Sequence, residues 1–201
     1  MLKLRSSAAG FSIIELMVSI TLMAILVMVA APSLSAYTEN SKLRGITESF
    51  MAAVQNARAE AIRRNQVVEL VLTTDSPTAA NVATTNLSAT AGNWLVRART
   101  NDVTPFTYEF VEGKSRAEGS GQEGATTVQL TAAAGGTAVS QVSFEGVGRT
   151  NLGAPLLVNF TSSTAACAPT GPVRCLRVRV SPSGQAKSCD PLAAAGDTRV
   201  C

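Results

Sequence analysis

Four cysteines and one carboxylate are the residues of this 201-residue chain whose type and placement point to chemistry. Cys167, Cys175, Cys189 and Cys201 fall within the last 35 residues, at spacings of 8, 14 and 12. No Cys-x-x-Cys pair stands among them, so oxidation to disulfides suits them better than metal binding. Four cysteines allow three pairings, and the sequence leaves that choice open. The carboxylate is Glu15, the sole ionisable side chain between Phe11 and Ala31. Placing it in lipid costs on the order of a few kcal/mol even on lenient scales, so it asks for a cationic partner. Catalytic sets are missing. The chain has no histidine, which removes the commonest general base and zinc ligand and every Ser-His-Asp or Cys-His arrangement. Pro172-Val173-Arg174-Cys175 and Ser188-Cys189-Asp190 supply no base. Gly146-Val147-Gly148-Arg149 lies in a β-rich region and not in a strand–helix unit, so it reads as a turn and not as a phosphate loop. The chain reads as no enzyme, with no cofactor and no metal.

Glu15 sits in an apolar run of 21 residues, Phe11 to Ala31. As a helix that run covers about 31 Å, roughly one hydrocarbon core. Residues 1–10 carry Lys3 and Arg5, no acid, and end in Ala8-Ala9-Gly10. A secretory signal has the opposite order, with its apolar region ahead of the small-residue cleavage site. Cutting after Gly10 leaves the apolar helix on the mature chain, with Phe11 as its N-terminus. Lys3 and Arg5 hold that end on the cytoplasmic side and send the rest across the membrane. An oxidising compartment there favours disulfides. The net charge is +3, of which Lys3 and Arg5 supply two, so the mature chain is close to neutral and wholesale attraction to nucleic acid is excluded.

Pro32 closes the apolar run and predicts a helix kink, because proline loses a hydrogen bond and clashes with the preceding turn. Leu34, Tyr37, Leu43, Ile46, Phe50, Val54, Ala57 and Ala61 then recur mostly at three- and four-residue steps, with charged residues between them. This is an amphipathic helix with one apolar stripe. Gly45 weakens it by about 1 kcal/mol relative to Ala. One long helix is therefore expected from Phe11 to Asn65, with Asn65 as its C-cap behind Arg63 and Arg64. Beyond it the period becomes two, around Val68–Leu72, Trp94–Ala98, Phe106–Phe110, Val128–Leu130, Val142–Phe144, Leu156–Phe160 and Leu176–Val180. These are expected to be short strands buried on one side. Thr73 to Gly92, Gly113 to Ala125 and Ala132 to Ala138 read as loops, and Ser181-Pro182-Ser183-Gly184 as a hairpin turn. The fold class is α+β, a long N-terminal helix packed on an antiparallel sheet. Its segments are a leader at 1–10, a transmembrane helix half at 11–32, an amphipathic half at 33–65 and a β-rich domain at 66–201.

Gly10-Phe11-Ser12-Ile13-Ile14-Glu15-Leu16 resembles the leader junction of type IV pilins and type II secretion pseudopilins. Their pattern is a glycine, a Phe that becomes N-methylated, then Thr/Ser-Leu/Ile-Ile-Glu-Leu. Ala57-Arg58-Ala59-Glu60-Ala61-Ile62-Arg63-Arg64-Asn65 is similar to the helix end of the GspH/FimT family, which usually shows Ala-Arg-Ser-Glu-Ala-Ile-x-Arg there. Asn93-Trp94-Leu95-Val96 and Val180-Ser181-Pro182-Ser183-Gly184 also resemble that branch. The likeness covers about the first 70 residues well and the strands patchily. It implies a pilin-like fold, cleavage at Gly10, methylation of Phe11, and Glu15 as the assembly register, neutralised by the Phe11 amine of its own or a neighbouring subunit. Implied partners are other pilin or pseudopilin subunits, the prepilin peptidase/methyltransferase, the inner-membrane assembly platform and membrane lipid. The implied location is the inner membrane, single-pass with a periplasmic C-terminal domain, and then the fibre.

Near the end of the chain Arg174, Arg177, Arg179, Lys187 and Arg199 face only Asp190 and Asp197. Arg177 and Arg179 alternate with Leu176, Val178 and Val180, so they share a strand face. In pilins of this branch linked to DNA uptake the resemblance implies Gly-Arg-x-Arg just after Ser-Pro-x. This chain has Gly184-Gln185-Ala186-Lys187 there. Lys187 keeps a point charge but lacks the planar fork. Arg177, Arg179 and Lys187 are the candidate DNA contacts. The expectation is a FimT/FimU-like minor pilin that joins or primes pilus assembly. The alternatives are an H-type pseudopilin of a type II secretion system, or a DNA-binding or adhesive tip subunit.

Overall fold

The computed structural model describes residues 11–115 and 128–201, with the side chains of 29–32 and 128–129 outside that description. The leader, with Gly10, lies outside the described residues. Among the described residues one α-helix, α1 (Ile13–Arg64), is followed by nine strands, with a 3-10 turn (Ala79–Asn81) after the first: β1 (Val68–Thr73), β2 (Asn93–Arg99), β3 (Tyr108–Lys114), β4 (Val128–Ala134), β5 (Thr137–Ala138), β6 (Gln141–Phe144), β7 (Leu156–Ser162), β8 (Leu176–Val180) and β9 (Ala186–Cys189). The chain divides into two compact units after Thr38.

In the first unit every side chain from Phe11 to Met28 is exposed. A helix that is apolar all round and covered by none of the described residues is suited to a lipid or protein surround. Its hydroxyls are satisfied locally: Ser19 Oγ donates to the Glu15 carbonyl at 2.7 Å, and Thr21 Oγ1 to the Met17 carbonyl at 3.0 Å. Among the described residues no single helix is long and apolar enough to cross a membrane; Ile13–Met28 and Ser33–Arg64 pass together as a bent pair, by length and composition. Pro32 falls in the interval between them, and its side chain, with the kink expected of it, lies outside the described residues. Leu34 and Tyr37, expected in the apolar stripe, are exposed.

In the second unit the stripe begins at Leu43 and runs through Thr47, Phe50, Ala53, Val54, Ala57 and Ala61, all buried. Phe50 meets Trp94 of β2 edge-on at 5.4 Å and Phe160 of β7 at 5.5 Å, so one helical side chain joins two sheets. The helix ends at a left-handed Asn65 (φ 51°), with its N–H on the Ile62 carbonyl and that of Gln66 on the Ala61 carbonyl. That pair of bonds is a Schellman motif, the C-cap that Asn65 predicts.

The strands form two antiparallel sheets where one was expected. The first has the order β3-β2-β1-β6 and the second β5-β4-β7-β8-β9. The read loop Ala132 to Ala138 is instead the end of β4 and β5, joined by Gly135 and Gly136, both at positive φ. A two-residue Gly-Gly connection is a hairpin signal. The one-sided burial predicted for the strands fails at β1, where all six residues are buried, and at the middle of β2. The cover is the segment 74–92. Arg97 Nη1 donates to the Val82 carbonyl at 2.9 Å, and Pro77 packs so closely on Gly113 that a Cβ there would lie 2.2 Å from its carbonyl oxygen. Under this cover Glu69, wholly buried, takes a fork from each of two arginines: Arg97 Nε and Nη2 at 2.9 and 2.8 Å, Arg99 Nε and Nη2 at 2.8 and 2.6 Å. Arg97 stacks over Tyr108 and Arg99 over Phe106, at 3.7 and 4.0 Å.

Candidate functional site

The first candidate is the start of α1. Ser12 stands just before the helix, and its carbonyl accepts the Leu16 N–H at 3.1 Å. Glu15 falls in the first turn, where the helix dipole favours a negative charge. Among the described residues its carboxylate has no hydrogen-bond or ion-pair partner, and Phe11 is 83% exposed. Glu15 thus presents its carboxylate on a stretch of helix that none of the described residues covers.

The second candidate is the outer face of the second sheet. Register places Arg179 opposite both Leu157 of β7 and Lys187 of β9, and Arg177 opposite Asn159 and Cys189. Arg177, Arg179 and Lys187 therefore share one face, while Val178 and Val180 point into the core. The three cations differ in what they hold. Arg177 Nε donates to Asn159 Oδ1 at 2.6 Å. Lys187 Nζ donates to the Thr198 and Val200 carbonyls at 3.3 and 3.5 Å. Arg179 is exposed and, among the described residues, makes no side-chain hydrogen bond. Arg174 and Arg199 do not join this row.

The hairpin carrying Gly184-Gln185-Ala186-Lys187 is held from behind by a charged residue of the helix, Arg58. Arg58 Nε donates to the Gly148 carbonyl at 3.1 Å, and a Cβ on Gly184 would lie 2.2 Å from that carbonyl oxygen. One helical arginine thus anchors the 145–149 turn against the 181–185 turn, which the bond from Thr150 N–H to the Pro182 carbonyl (3.0 Å) also joins. Glu60 and Arg64 of the same helix end do pair along the helix. Glu60 accepts Arg63 Nε at 3.0 Å and Arg64 Nε at 2.7 Å, and Arg64 reaches on to Glu109 at 2.8 Å. These bonds, Arg63 first and Arg64 second, hold the Glu60 carboxyl down at about 2.

All four cysteines are oxidised in sequential pairs, Cys167–Cys175 and Cys189–Cys201. The second pins residues 190–201 beside β9, where the Asp190 N–H donates to the Arg199 carbonyl at 2.7 Å and Asp190 bridges Val200.

Residues 47–184 match the family described as Type II transport protein GspH, and residues 5–31 match the prokaryotic N-terminal methylation motif. Among solved structures, the type IV minor pilin FimU of Pseudomonas aeruginosa PAO1 aligns with a TM-score of 0.53 and 13% identity, over 80% of this chain and 98% of that one. A second crystal form of FimU gives 0.49 and 11%, over 77% and 98%. The minor pseudopilin EpsH of the Vibrio cholerae type 2 secretion system gives 0.44 and 14%, over 73% and 94%. No curated protein matches the chain. The first FimU alignment shows a shared pilin-like fold.

Proposed function

The chain belongs to the GspH family, and from that premise we propose that it is a FimT/FimU-like minor pilin that joins or primes pilus assembly. The observation that carries this reading is the exposed apolar helix: a run that none of the described residues covers, with one carboxylate, Glu15, inside a match to the methylation motif. Residues 11–32 hold the chain in the inner membrane before assembly and pack against other subunits' helices after it, leaving residues 66–201 on the periplasmic side. A prepilin peptidase cuts after Gly10 and Phe11 is methylated. The Phe11 amine of this or a neighbouring subunit neutralises Glu15, which lowers the cost of both buried charges and fixes the step between subunits.

The test is made on sheared fibres. Mass spectrometry should find methyl-Phe11 as the N-terminus, and Glu15→Ala should insert in the membrane yet be depleted from the fibres. Retention of Met1 in fibres, or equal incorporation of the variant, overturns the reading. The description of the family favours one second reading, an H-type pseudopilin of a secretion system. Deletion of the gene separates the two: loss of pili supports the first, loss of secretion with pili intact the second. The Arg177, Arg179 and Lys187 row favours a further role in contacting DNA.

A further inference from the structure

Arg174 and Arg199 line a cleft of their own. It has a volume of about 340 Å³ and lies between α1 and the two disulfide-bonded segments, with Asn40, Arg44, Arg174, Asp190 and Arg199 in its walls. Three elements bring the guanidiniums together. α1 supplies Arg44. Arg174 precedes Cys175, and its backbone N–H donates to Asn40 Oδ1 at 2.7 Å, which docks that segment on the helix. Arg199 lies two residues before Cys201, on the strip held beside β9. Arg199 is committed to Asp197 by two bonds of 3.1 and 2.7 Å. Among the described residues, the side chains of Arg44 and Arg174 make no hydrogen bond and no ion pair.

Charge and lining decide what such a cleft takes. A second cleft of about 390 Å³ shares Arg174, Asp190 and Arg199 and adds Asp197, Pro169 and Leu192. Three arginines against two aspartates leave a net charge of +1 across both clefts. That suits a monoanion and offers little to a polyanion. Leu192 and Pro169 offer apolar surface to a short carbon stem. A guanidinium fork matches the two oxygens of a carboxylate. We infer that the double cleft is a carboxylate-binding site, occupied by an Asp or Glu side chain of a neighbouring pilin subunit. The choice of partner rests on the assembly reading above; the carboxylate chemistry does not.

The experiment has two arms. In the first, the full chain in a neutral detergent is titrated with N-acetylglutamate amide and, separately, with inorganic phosphate, following the backbone amides of Ser188 and Asp190 by NMR. Saturable shifts with the carboxylate are expected, and Arg44→Gln with Arg174→Gln should raise the midpoint at least about tenfold. Both arginines are exposed, so the double variant should keep the wild-type fold. Arg177→Gln with Arg179→Gln should leave the midpoint unchanged. Absence of shifts, or saturation by phosphate at lower concentration, overturns the site. In the second arm a photo-crosslinking residue replaces Leu192. In fibres it should link to an acid-bearing peptide of another pilin subunit, and the double arginine variant should lose that link. Fibres that contain the chain but yield no such link overturn the partner. A chain that never enters fibres overturns the assembly reading, while the titration still decides the carboxylate site.

Discussion

Glu69 is the residue whose role the linear pattern conceals. Alternation along β1 assigns it to the solvent side, yet it is wholly buried because segment 74–92 closes over that face from a distance no local period records. Two arginine forks and two aromatic rings then satisfy what burial exposes to cost. Removing one member of a buried ion set leaves uncompensated charge, so Glu69→Gln should lower the unfolding free energy by about 3–5 kcal/mol. Urea denaturation of the full chain in detergent measures it, and a loss under about 1 kcal/mol would show the triad to be dispensable. Glu60 supplies the pH-dependent counterpart. Its carboxyl is lowered from 4.5 to about 2 by Arg63 first and Arg64 second. A folded value below the unfolded one stabilises the protein fully above about pH 4.5, and that stability drains away as the pH falls through about 2. Thermal melts of wild type and Glu60→Gln should therefore differ by a constant amount at neutral pH and converge on acidification. A gap undiminished at pH 2 would remove the carboxylate as its cause.

The elements were the most legible part of the chain. Helix α1 could be read because its stripe repeats from Leu43 to Ala61 and its end is written in Arg63-Arg64-Asn65. Among the described residues, seven of the nine strands stand where period two places them. The division into two sheets was not legible, because it depends on Phe50 reaching both Trp94 and Phe160, a contact between three distant segments. Gly135-Gly136 carries the turn signal of β5 inside a segment whose composition reads as a loop, and the role of Arg58 is invisible in the local pattern because its partner, the Gly148 carbonyl, lies 90 residues away. Two glycines test this level with opposite signs. Gly45 is helical with nothing within 4 Å of an added Cβ, so Gly45→Ala should stabilise by about 1 kcal/mol. Gly184 sits at φ 78° against the Gly148 carbonyl, so Gly184→Ala should destabilise by at least about 1 kcal/mol. Melting temperatures that move in the same direction for both would refute the assignment.

At the scale of the whole molecule the question is what the cationic face can do when presented outside the membrane. Phosphate binding through counterion release scales with the number of free cations. Arg177 and Lys187 are already hydrogen-bonded, which leaves Arg179 as the readiest contact. The log–log slope of DNA affinity against salt should therefore lie near about −1, rising toward about −3 only if all three residues engage. Titration of the detergent-solubilised chain with duplex DNA at two salt concentrations reads the slope. Gln185→Arg with Lys187→Arg should steepen it, and Arg177→Glu with Arg179→Glu should abolish binding. No binding by wild type or by the Gln185→Arg, Lys187→Arg variant at low salt would remove DNA contact from the proposed roles.

The order of the cysteines also carries information in time. All strands of the first sheet lie before residue 145, and the pairs follow one another without crossing, Cys167 with Cys175 and then Cys189 with Cys201. A domain that crosses into an oxidising space from its helix end onward, behind an N-terminus held on the cytoplasmic side, presents each thiol with its own partner as the next to arrive. The correct pairing is then also the first pairing available, reached on a scaffold whose first sheet is already complete. Such a chain has no need of reshuffling, and peptide mapping from cells lacking disulfide isomerase should return the same two bonds; scrambled pairs in that background would count against this route.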